Sequence, residues 1–300
     1  MIHISHFSGC IGSWAATKRV ADKHGTEDLH LVFADTLIED DDLYRFLLDA
    51  FTELYGYRSS ACGMSDGNIF LPDVIDDLPG RKEALKNLRE LVNKEYPNVH
   101  WIADGRTPWE VFKDERFVGN SRIDPCSKIL KREFIDRYCT EWFPVMSTHY
   151  FGIDWTEEHR IIRVRERMGG RRCEAPLCEP PLLSKAELVQ EAADAGIRPP
   201  RLYKIGFVHN NCGGFCIKSG QAQFALLLKT NPRLYAYHEK NEALMMEYLE
   251  TANATILKCR RNMKKGDKPK PLSLRAFRER LEKDPSEYDK FEWGGCACSL

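Results

Sequence analysis

The N-terminal segment constrains the fold more than any other part of the chain, because strand-like and helix-like patterns alternate within it. Ile2, Ile4 and Phe7 follow the two-residue period of a strand, and residues 29–34 form a second β-like run. Residues 13–24 between them have the apolar spacing of a helix. A strand, a helix and another strand in this order predict a right-handed βαβ unit whose parallel strands are buried.

The alternation continues beyond this unit. We predict helices at residues 40–55, 81–96 and 127–141, and strands at residues 99–103 and 145–151. Such a succession is typical of an α/β protein, because each helix crosses over the sheet between two parallel strands. The sequence therefore predicts a doubly wound α/β domain with a mostly parallel sheet.

A change of composition near residue 168 predicts a domain boundary. Two glycines and two arginines occupy residues 169–172, and a proline pair follows at 180–181. We therefore predict an α/β domain over residues 1–168 and a smaller, Cys-rich, mainly helical region over residues 169–300. The helices expected in this second region lie at 184–195, where Ser184 and Glu187 form a capping-box pattern, and at 219–229, 237–251 and 273–283.

The total charge is nearly balanced, with 44 Lys and Arg against 45 Asp and Glu, so it gives no reason to expect a polyanion as the general partner. Residues 258–270 are locally basic and form either a nucleic-acid contact or a solvated surface loop. The start of the chain has no signal-peptide pattern, and no apolar run approaches the length of a membrane span. We expect a cytoplasmic protein, in which the 11 cysteines serve as thiols, metal ligands or redox groups rather than as structural disulfides.

The loop after the first predicted strand has the composition of a phosphate-binding site. Backbone N–H groups and the positive end of a helix dipole attract phosphate where a glycine-containing loop opens a helix. Serine hydroxyls add hydrogen-bond donors. We predict that the phosphates of a nucleotide bind at Ser8, Gly9, Cys10, Ile11, Gly12 and Ser13.

This loop resembles the SGGxxS motif of the PP-loop ATP pyrophosphatase superfamily, and later segments resemble its phosphoadenosine phosphosulfate reductase branch in their order. Phe33–Asp40 is similar to the branch's second strand, which ends in Asp-Thr-Gly before an acidic helix start. Pro125–Arg132 is similar to its Cys- and Lys-containing segment. The resemblance covers roughly residues 1–220.

Three further segments extend the resemblance. Tyr150–Asp154, with Arg160 downstream, is similar to the family's strand that ends in Gly. Pro200–Phe207 and Cys212–Cys216 are similar to its Pro-Leu-Tyr and Cys-x-x-Cys region. The family's terminal Glu-Cys-Gly-Leu-His element, which carries the catalytic cysteine of the sulfonucleotide reductases, has no counterpart here.

The resemblance implies a HUP-like fold that binds an adenine nucleotide, with ATP and Mg²⁺ as cofactors. Asp35 and Thr36 follow a parallel strand, where Asp35 would accept a hydrogen bond from the ribose or adenine, hold Mg²⁺ through water, or cap the next helix. Gly152 and Arg160 would complete the nucleotide site. The same family match indicates that Lys128 and Lys131, like Arg160, neutralise phosphate charge, although each also fits a solvated helix face.

Cysteines form the second group of candidate site residues. Cys126 begins a helix, where the dipole lowers the pKa of a thiol, so we predict a nucleophile, a persulfide carrier or a cluster ligand. The resemblance implies a [4Fe-4S] cluster held by Cys126, Cys212 and Cys216, either with Cys178 as the fourth ligand or with one iron left open for sulfide or substrate. The alternatives are a Zn²⁺ site formed by Cys173, Cys178, Cys212 and Cys216, or no metal at all. Cys296 and Cys298 form a third pair without an assigned role.

These observations predict an ATP-dependent enzyme that adenylylates its substrate, releases pyrophosphate and transfers sulfur to a nucleotide, nucleobase or nucleic acid, with a sulfur donor or thiol reductant as partner. Cys126, Lys128 and Lys131 are its predicted catalytic residues. One alternative is a thiol-dependent sulfonucleotide reductase. The other is a nucleotide- or nucleic-acid-binding module without catalysis, stabilised by structural zinc.

Overall fold

The structure is a computed structural model that describes residues 1–60, 69, 71–120, 123–259, 263 and 267–295. Its strands are β1 His3–His6, β2 Leu29–Asp35, β3 Val99–Ala103, β4 Thr148–Phe151, β5 Arg172–Glu174, β6 Leu257–Cys259 and β7 Lys270–Leu272. Its helices are α1 Ile11–His24, α2 Asp41–Tyr55, α3 Leu78–Glu95, α4 Pro108–Asp114, α5 Pro125–Ser127, α6 Glu133–Trp142, α7 His159–Arg167, α8 Lys185–Asp194, α9 Arg201–Ile205, α10 Gln221–Thr230, α11 Pro232–Tyr248 and α12 Leu274–Lys283.

The first five strands form one parallel sheet in the order β3-β2-β1-β4-β5. The chain first builds outward from β1 to β3, then returns across the sheet and continues with β4 on the other side of β1. The order of connection therefore reverses between β1 and β4. Ligands of open α/β sheets bind at this kind of switch point, at the carboxyl ends of the strands.

Helices cover both faces of the sheet, as expected for a doubly wound fold. Leu31 and Phe33 of β2 pack in the same apolar cluster as α1, α2 and α3. Val32 and Ala34, which alternate with them, pack on the opposite face against Ile135 and Cys139 of α6. The parallel strand pairs confirm the predicted parallel sheet. The alternation of strand residues between two apolar layers confirms the α/β class with helices on both faces.

Local capping chemistry explains where several helices begin. Ser184 and Glu187 form the predicted capping box at α8, with the Glu187 carboxylate accepting the Ser184 N–H at 2.7 Å. Asp40 caps α2 by accepting the Asp42 N–H at 3.0 Å. A cap of this kind stabilises a helix by about 1 kcal/mol.

Some elements differ from the sequence-based expectation. Helix α11 begins at Pro232 rather than near residue 237, because the Asn231 side chain accepts the Leu234 N–H and Pro fits the first turn. The predicted basic loop 258–270 is bounded by β6 and β7, which pair antiparallel, while residues 260–262 and 264–266 lie outside the described part of the chain. Strand β5 pairs with β4, so the sheet continues past residue 168.

The C-terminal region is mainly helical and shares one apolar core with α4. Phe215, Phe224 of α10 and Phe277 of α12 are buried in a cluster that also contains Trp109 and Phe112 of α4. This cluster lies beyond the carboxyl edge of β3, because α4 follows β3 directly. The arrangement brings the Cys212–Cys216 segment toward the predicted phosphate loop.

Candidate functional site

The predicted phosphate loop connects β1 to α1 at the switch point of the sheet. Gly9 has φ +75°, a conformation that favours glycine, and the Leu43 side chain would lie 3.0 Å from a Cβ added there. Cys10 occupies the N-cap position of α1 with φ −98° and ψ 157°, an ordinary extended conformation. A side chain at residue 10 is therefore compatible with the backbone of the loop.

Gly152 lies directly against this loop. A Cβ on Gly152 would stand 2.6 Å from the Ser13 nitrogen and 2.7 Å from the Gly12 carbonyl carbon. Only a residue without a side chain allows β4 to end this close to the first turn of α1. The predicted strand ending in Gly and the predicted phosphate loop thus meet at the position where α/β sheets bind ligands.

A cavity of about 80 Å³ opens at this contact. It is lined by Ser8, Cys10, Ile11, Gly12, Ser13, Gly152, Asp154, Glu157, Arg160, Lys185, Leu188, Tyr203, His209 and Asn211. Most of the residues predicted to bind phosphate therefore line one space. The Tyr203 hydroxyl already accepts the Ile11 N–H at 3.3 Å, so a phosphate at the helix start would replace this contact.

Asp35 does not line the phosphate cavity; it is buried and hydrogen-bonded to core residues. Its carboxylate accepts hydrogen bonds from the Leu37 N–H at 2.7 Å, the Tyr44 hydroxyl at 3.0 Å and the Trp101 indole at 3.2 Å. Burial raises the pKa of Asp35 to about 6. Its role as a nucleotide or Mg²⁺ ligand stays a prediction, and it would require these contacts to open.

A second cavity, which we call the thiol pocket, brings together three of the predicted site cysteines. Cys126, Cys212 and Cys216 line it, although 86 positions separate the first from the second. Its other lining residues are Thr36, Pro108, Asp124, Ser127, Lys131, Phe215, Ile217 and Lys218. The cavity measures about 20 Å³, which is enough for about one water molecule.

Glu39 holds the elements around the thiol pocket together. Its buried carboxylate accepts hydrogen bonds from the Lys131 ammonium at 3.1 Å, from the Thr36 hydroxyl at 2.9 Å and from the backbone N–H of Cys212. The side chains of Glu39 and Lys131 are 0% and 6% exposed, so each charge depends on the other for compensation. Lys131 is thus engaged inside the protein, at the edge of the thiol pocket.

The segment around Cys212 packs closely against Ile38 because its backbone adopts positive φ values. Cys212, Gly213 and Gly214 have φ values of +53°, +61° and +88°. A Cβ on Gly213 would lie 3.2 Å from the Ile38 carbonyl oxygen. Two residues upstream, the Asn210 amide donates to the Gly9 carbonyl at 2.9 Å, which links this segment to the phosphate loop.

Two thiols of the pocket, those of Cys126 and Cys212, have raised pKa values, whereas a lowered pKa was predicted for Cys126. Burial raises the pKa of Cys126 to about 12, and the Asp124 carboxylate adds to the rise. Burial and the Glu39 charge likewise raise the pKa of Cys212. The prediction that the helix start lowers the pKa of Cys126 is wrong, because desolvation outweighs the dipole of a short α5 that continues as a π-helical turn at Lys128–Arg132.

The predicted metal ligands are only partly brought together. Cys173 and Cys178 pack in a small cluster with Ile153 and Ile161, apart from the cluster that contains Cys126 and Cys212. Among the described residues, three ligand atoms lie within 4.8 Å of one another at a single place, which does not include the thiol pocket. The ligand atoms of Cys126, Cys212 and Cys216 do not form such a group, so in its present geometry the pocket does not hold three ligands of a single zinc ion, and the four-iron cluster stays a prediction.

Two predicted charged residues have different surroundings. Arg160 is buried, lines the phosphate cavity and pairs with Glu157. Lys128 is 60% exposed and pairs with Glu133 at 3.4 Å, and it lines neither cavity. Cys296 and Cys298 lie outside the described residues, whose last member, Gly295, donates its N–H to the Lys218 carbonyl beside the thiol pocket.

The one group of close ligand atoms within the described ranges consists of His6, Cys139 and His149. Sequence reasoning missed it, because the three residues belong to β1, α6 and β4 and share no motif. The alternation of β1 and β4 could have placed His6 and His149 on one face, but only the packing of α6 adds Cys139. The group offers two imidazoles and one thiol to a metal ion.

Comparison of the chain with protein-family models, with curated proteins and with solved structures gives no match. The molecule is a Rossmann-like α/β protein by its parallel sheet in the order 3-2-1-4-5, and the PP-loop resemblance rests on its motifs alone. None of the helices in the described ranges combines the length and the apolar composition needed to cross a membrane.

Proposed function

We propose that this protein is an ATP-dependent enzyme that adenylylates a nucleotide, a nucleobase or a nucleic acid, releases pyrophosphate and then transfers sulfur to the activated carbon. One observation carries the proposal: residues 209–216 line both cavities. His209 and Asn211 line the phosphate cavity, and Cys212 and Cys216 line the thiol pocket. A segment that joins a phosphate cavity to a pocket of thiols suits chemistry that first activates a carbon with ATP and then attacks it with sulfur.

The phosphate cavity would serve the first step. A substrate oxygen attacks the α-phosphorus of ATP, the substrate becomes an adenylate, and pyrophosphate leaves. Arg160 and Lys185 supply positive charge to the cavity, and charge developing on phosphate oxygens needs such compensation. The carboxylates of Asp154 and Glu157 offer oxygen ligands to Mg²⁺ that enters with the nucleotide.

The thiol pocket would serve the second step. A persulfide donor passes one sulfur atom to a cysteine of the pocket, and the terminal sulfur attacks the activated carbon while AMP leaves. A second thiol then attacks the inner sulfur, which releases the thiolated product and forms a disulfide. A thiol reductant restores the pair. This sequence needs two thiols within reach of each other, and three line the pocket.

Calorimetric titration with Mg-ATP tests the nucleotide site. The double variant Ser8→Ala with Ser13→Ala should bind about 1 to 3 kcal/mol more weakly, the usual effect of removing hydrogen bonds to a charged group. The variant Ser286→Ala, at an exposed serine of the C-terminal region, is the control. Unchanged affinity in the double variant would remove the loop as the ATP site.

Product analysis tests the reaction itself. The full chain is incubated with Mg-ATP, a persulfide donor and either total tRNA or a mixture of mononucleotides. Pyrophosphate release that depends on the acceptor, together with a thiolated product, supports the proposal. Sulfite released from a sulfonucleotide without ATP consumption would establish the reductase instead, and nucleic-acid binding without any turnover would establish a binding module.

A further inference from the structure

A compact group of three potential metal ligands lies on the face of the sheet opposite α1. The Nε2 atom of His6 and the Nδ1 atom of His149 are 3.0 Å apart. These two nitrogens and the sulfur of Cys139 all lie within 4.8 Å of one another. In a tetrahedral zinc site with Zn–N bonds of about 2.0 Å and a Zn–S bond of about 2.3 Å, neighbouring ligand atoms are about 3.3 to 3.6 Å apart.

The group is buried in apolar surroundings. His149 and Cys139 are both 0% exposed, and the His6 ring stacks on Phe151 with 4.1 Å between centroids. Burial lowers the pKa of His149 to about 4 and places that of His6 well below its usual range. This direction favours the neutral imidazole, which is the form that binds a metal ion.

The positive charges of two nearby arginines repel a bound cation, and the contacts that these arginines make with other residues reduce the repulsion. Arg167 pairs with Asp136 at 3.2 Å. Arg171 donates to the Thr140 hydroxyl at 2.9 Å, while its other nitrogen lies 3.5 Å from the Nε2 atom of His149. On metal binding, Cys139 becomes a thiolate, and its charge together with that of Asp136 offsets two of the four positive charges carried by the zinc ion and the two arginines.

We propose that His6, Cys139 and His149 bind one zinc ion, with a water molecule as the fourth ligand. The Cys139 thiol loses its proton to solvent when the Zn–S bond forms, and no oxidation is involved. The two histidines use the nitrogens that face each other and carry their ring protons on the outward nitrogens, so the Arg171 guanidinium must turn away from Nε2 of His149 when the metal binds. Two imidazoles and one thiolate form a donor set that zinc accepts readily.

The position of the site suggests what the ion does. His6 directly precedes the phosphate loop, and His149 lies three residues before Gly152, which contacts that loop. Cys139 lies on α6, which continues the helical segment that begins at Cys126 of the thiol pocket. A zinc ion here would tie β1, β4 and α6 together beneath both cavities and hold them in register.

Metal analysis of the purified full chain tests the proposal. We expect wild-type protein to hold one zinc ion that Cys139→Ser loses, and addition of zinc to raise the Tm of wild-type apoprotein but not that of this variant. The variant His100→Ala is a matched control, since His100 forms a similar 3.0 Å contact with His30 on the same face. A triple Cys→Ser variant at 126, 212 and 216 should keep this zinc ion.

X-ray absorption of the zinc-bound wild-type protein gives a readout that does not depend on the folding of any variant. Two nitrogen-type ligands of imidazole and a single sulfur at about 2.3 Å would support the site. A spectrum with several sulfur ligands would overturn it in favour of the thiol pocket. Equal zinc content in wild-type protein and in folded Cys139→Ser protein would overturn it as well.

Discussion

Gly152 at the end of β4 and Ser13 in the first turn of α1 are in such close contact that a Cβ on Gly152 would lie 2.6 Å from the Ser13 nitrogen. This contact joins the two halves of the sheet at its switch point. It also defines one wall of the phosphate cavity. Any change that separates these two backbones should alter both stability and nucleotide binding.

The variant Gly152→Ala should therefore destabilise the fold by about 1 to 3 kcal/mol, the usual effect of overpacking. Its affinity for Mg-ATP should fall as well. Gly295→Ala is the matched control, because a Cβ there would meet no atom within 4 Å and the backbone has no positive φ. Urea unfolding measures the stability of each variant, and calorimetry measures its affinity for Mg-ATP. Equal stability and equal affinity of the two variants would contradict the close contact.

The buried pair of Glu39 and Lys131 allows a second test. Lys131→Met should reduce the free energy of unfolding by about 3 to 5 kcal/mol, because it leaves the Glu39 carboxylate buried without its cation. The double variant Lys131→Met with Glu39→Gln should recover part of this loss. Lys128→Met, which removes a mostly exposed partner of Glu133, should change stability little. If urea unfolding showed that Lys131→Met loses as little free energy of unfolding as Lys128→Met, the buried ion pair would be contradicted.

Cys10 caps α1 without a side-chain hydrogen bond to the helix, and its backbone is extended. A serine fits this conformation and places a hydroxyl acceptor near the backbone N–H groups of the first turn. Cys10→Ser should thus stabilise the protein by about 0.5 to 1 kcal/mol in thermal or urea unfolding. A clear loss of stability would show that the Cys10 thiol makes a contact that serine cannot replace.

His238 makes the C-terminal core sensitive to acid. Its ring is 1% exposed, stacks on Phe215 and accepts the Trp109 indole N–H at 3.0 Å. Burial holds the pKa of His238 well below its usual value of 6.5. The folded state therefore binds the proton less readily than the unfolded state. The resulting stability is complete above pH 6.5 and is lost as pH falls toward the lower folded pKa.

Replacing His238 with Gln keeps an acceptor for Trp109 and removes the titration. Between pH 7 and pH 5, wild-type protein should lose more stability than His238→Gln in urea unfolding, by at most about 2 kcal/mol, which is the linkage of one histidine over 1.5 pH units. His159→Gln, at an exposed position of α7, should follow the wild-type profile. Identical pH profiles of wild type and His238→Gln would show that His238 does not control acid stability.

The order of strands and helices was determined by the sequence itself, because periodicity and capping are local properties. The α/β class, the parallel sheet and the capping box of Ser184 and Glu187 all followed from neighbouring residues. The order of motifs also assigned Gly152 to the same predicted nucleotide site as the phosphate loop, against which it packs. These features require only that each segment adopt its preferred backbone and bury its apolar face.

Tertiary structure alone decided which side chains meet and what charge they carry. The sequence could not show that Cys126 is desolvated, because its pKa depends on residues packed around it from distant segments. It equally could not show that Asp35 is enclosed by Tyr44 and Trp101, or that α6 brings Cys139 to His6. Burial and juxtaposition across the chain are properties of the packed molecule, and no local pattern encodes them.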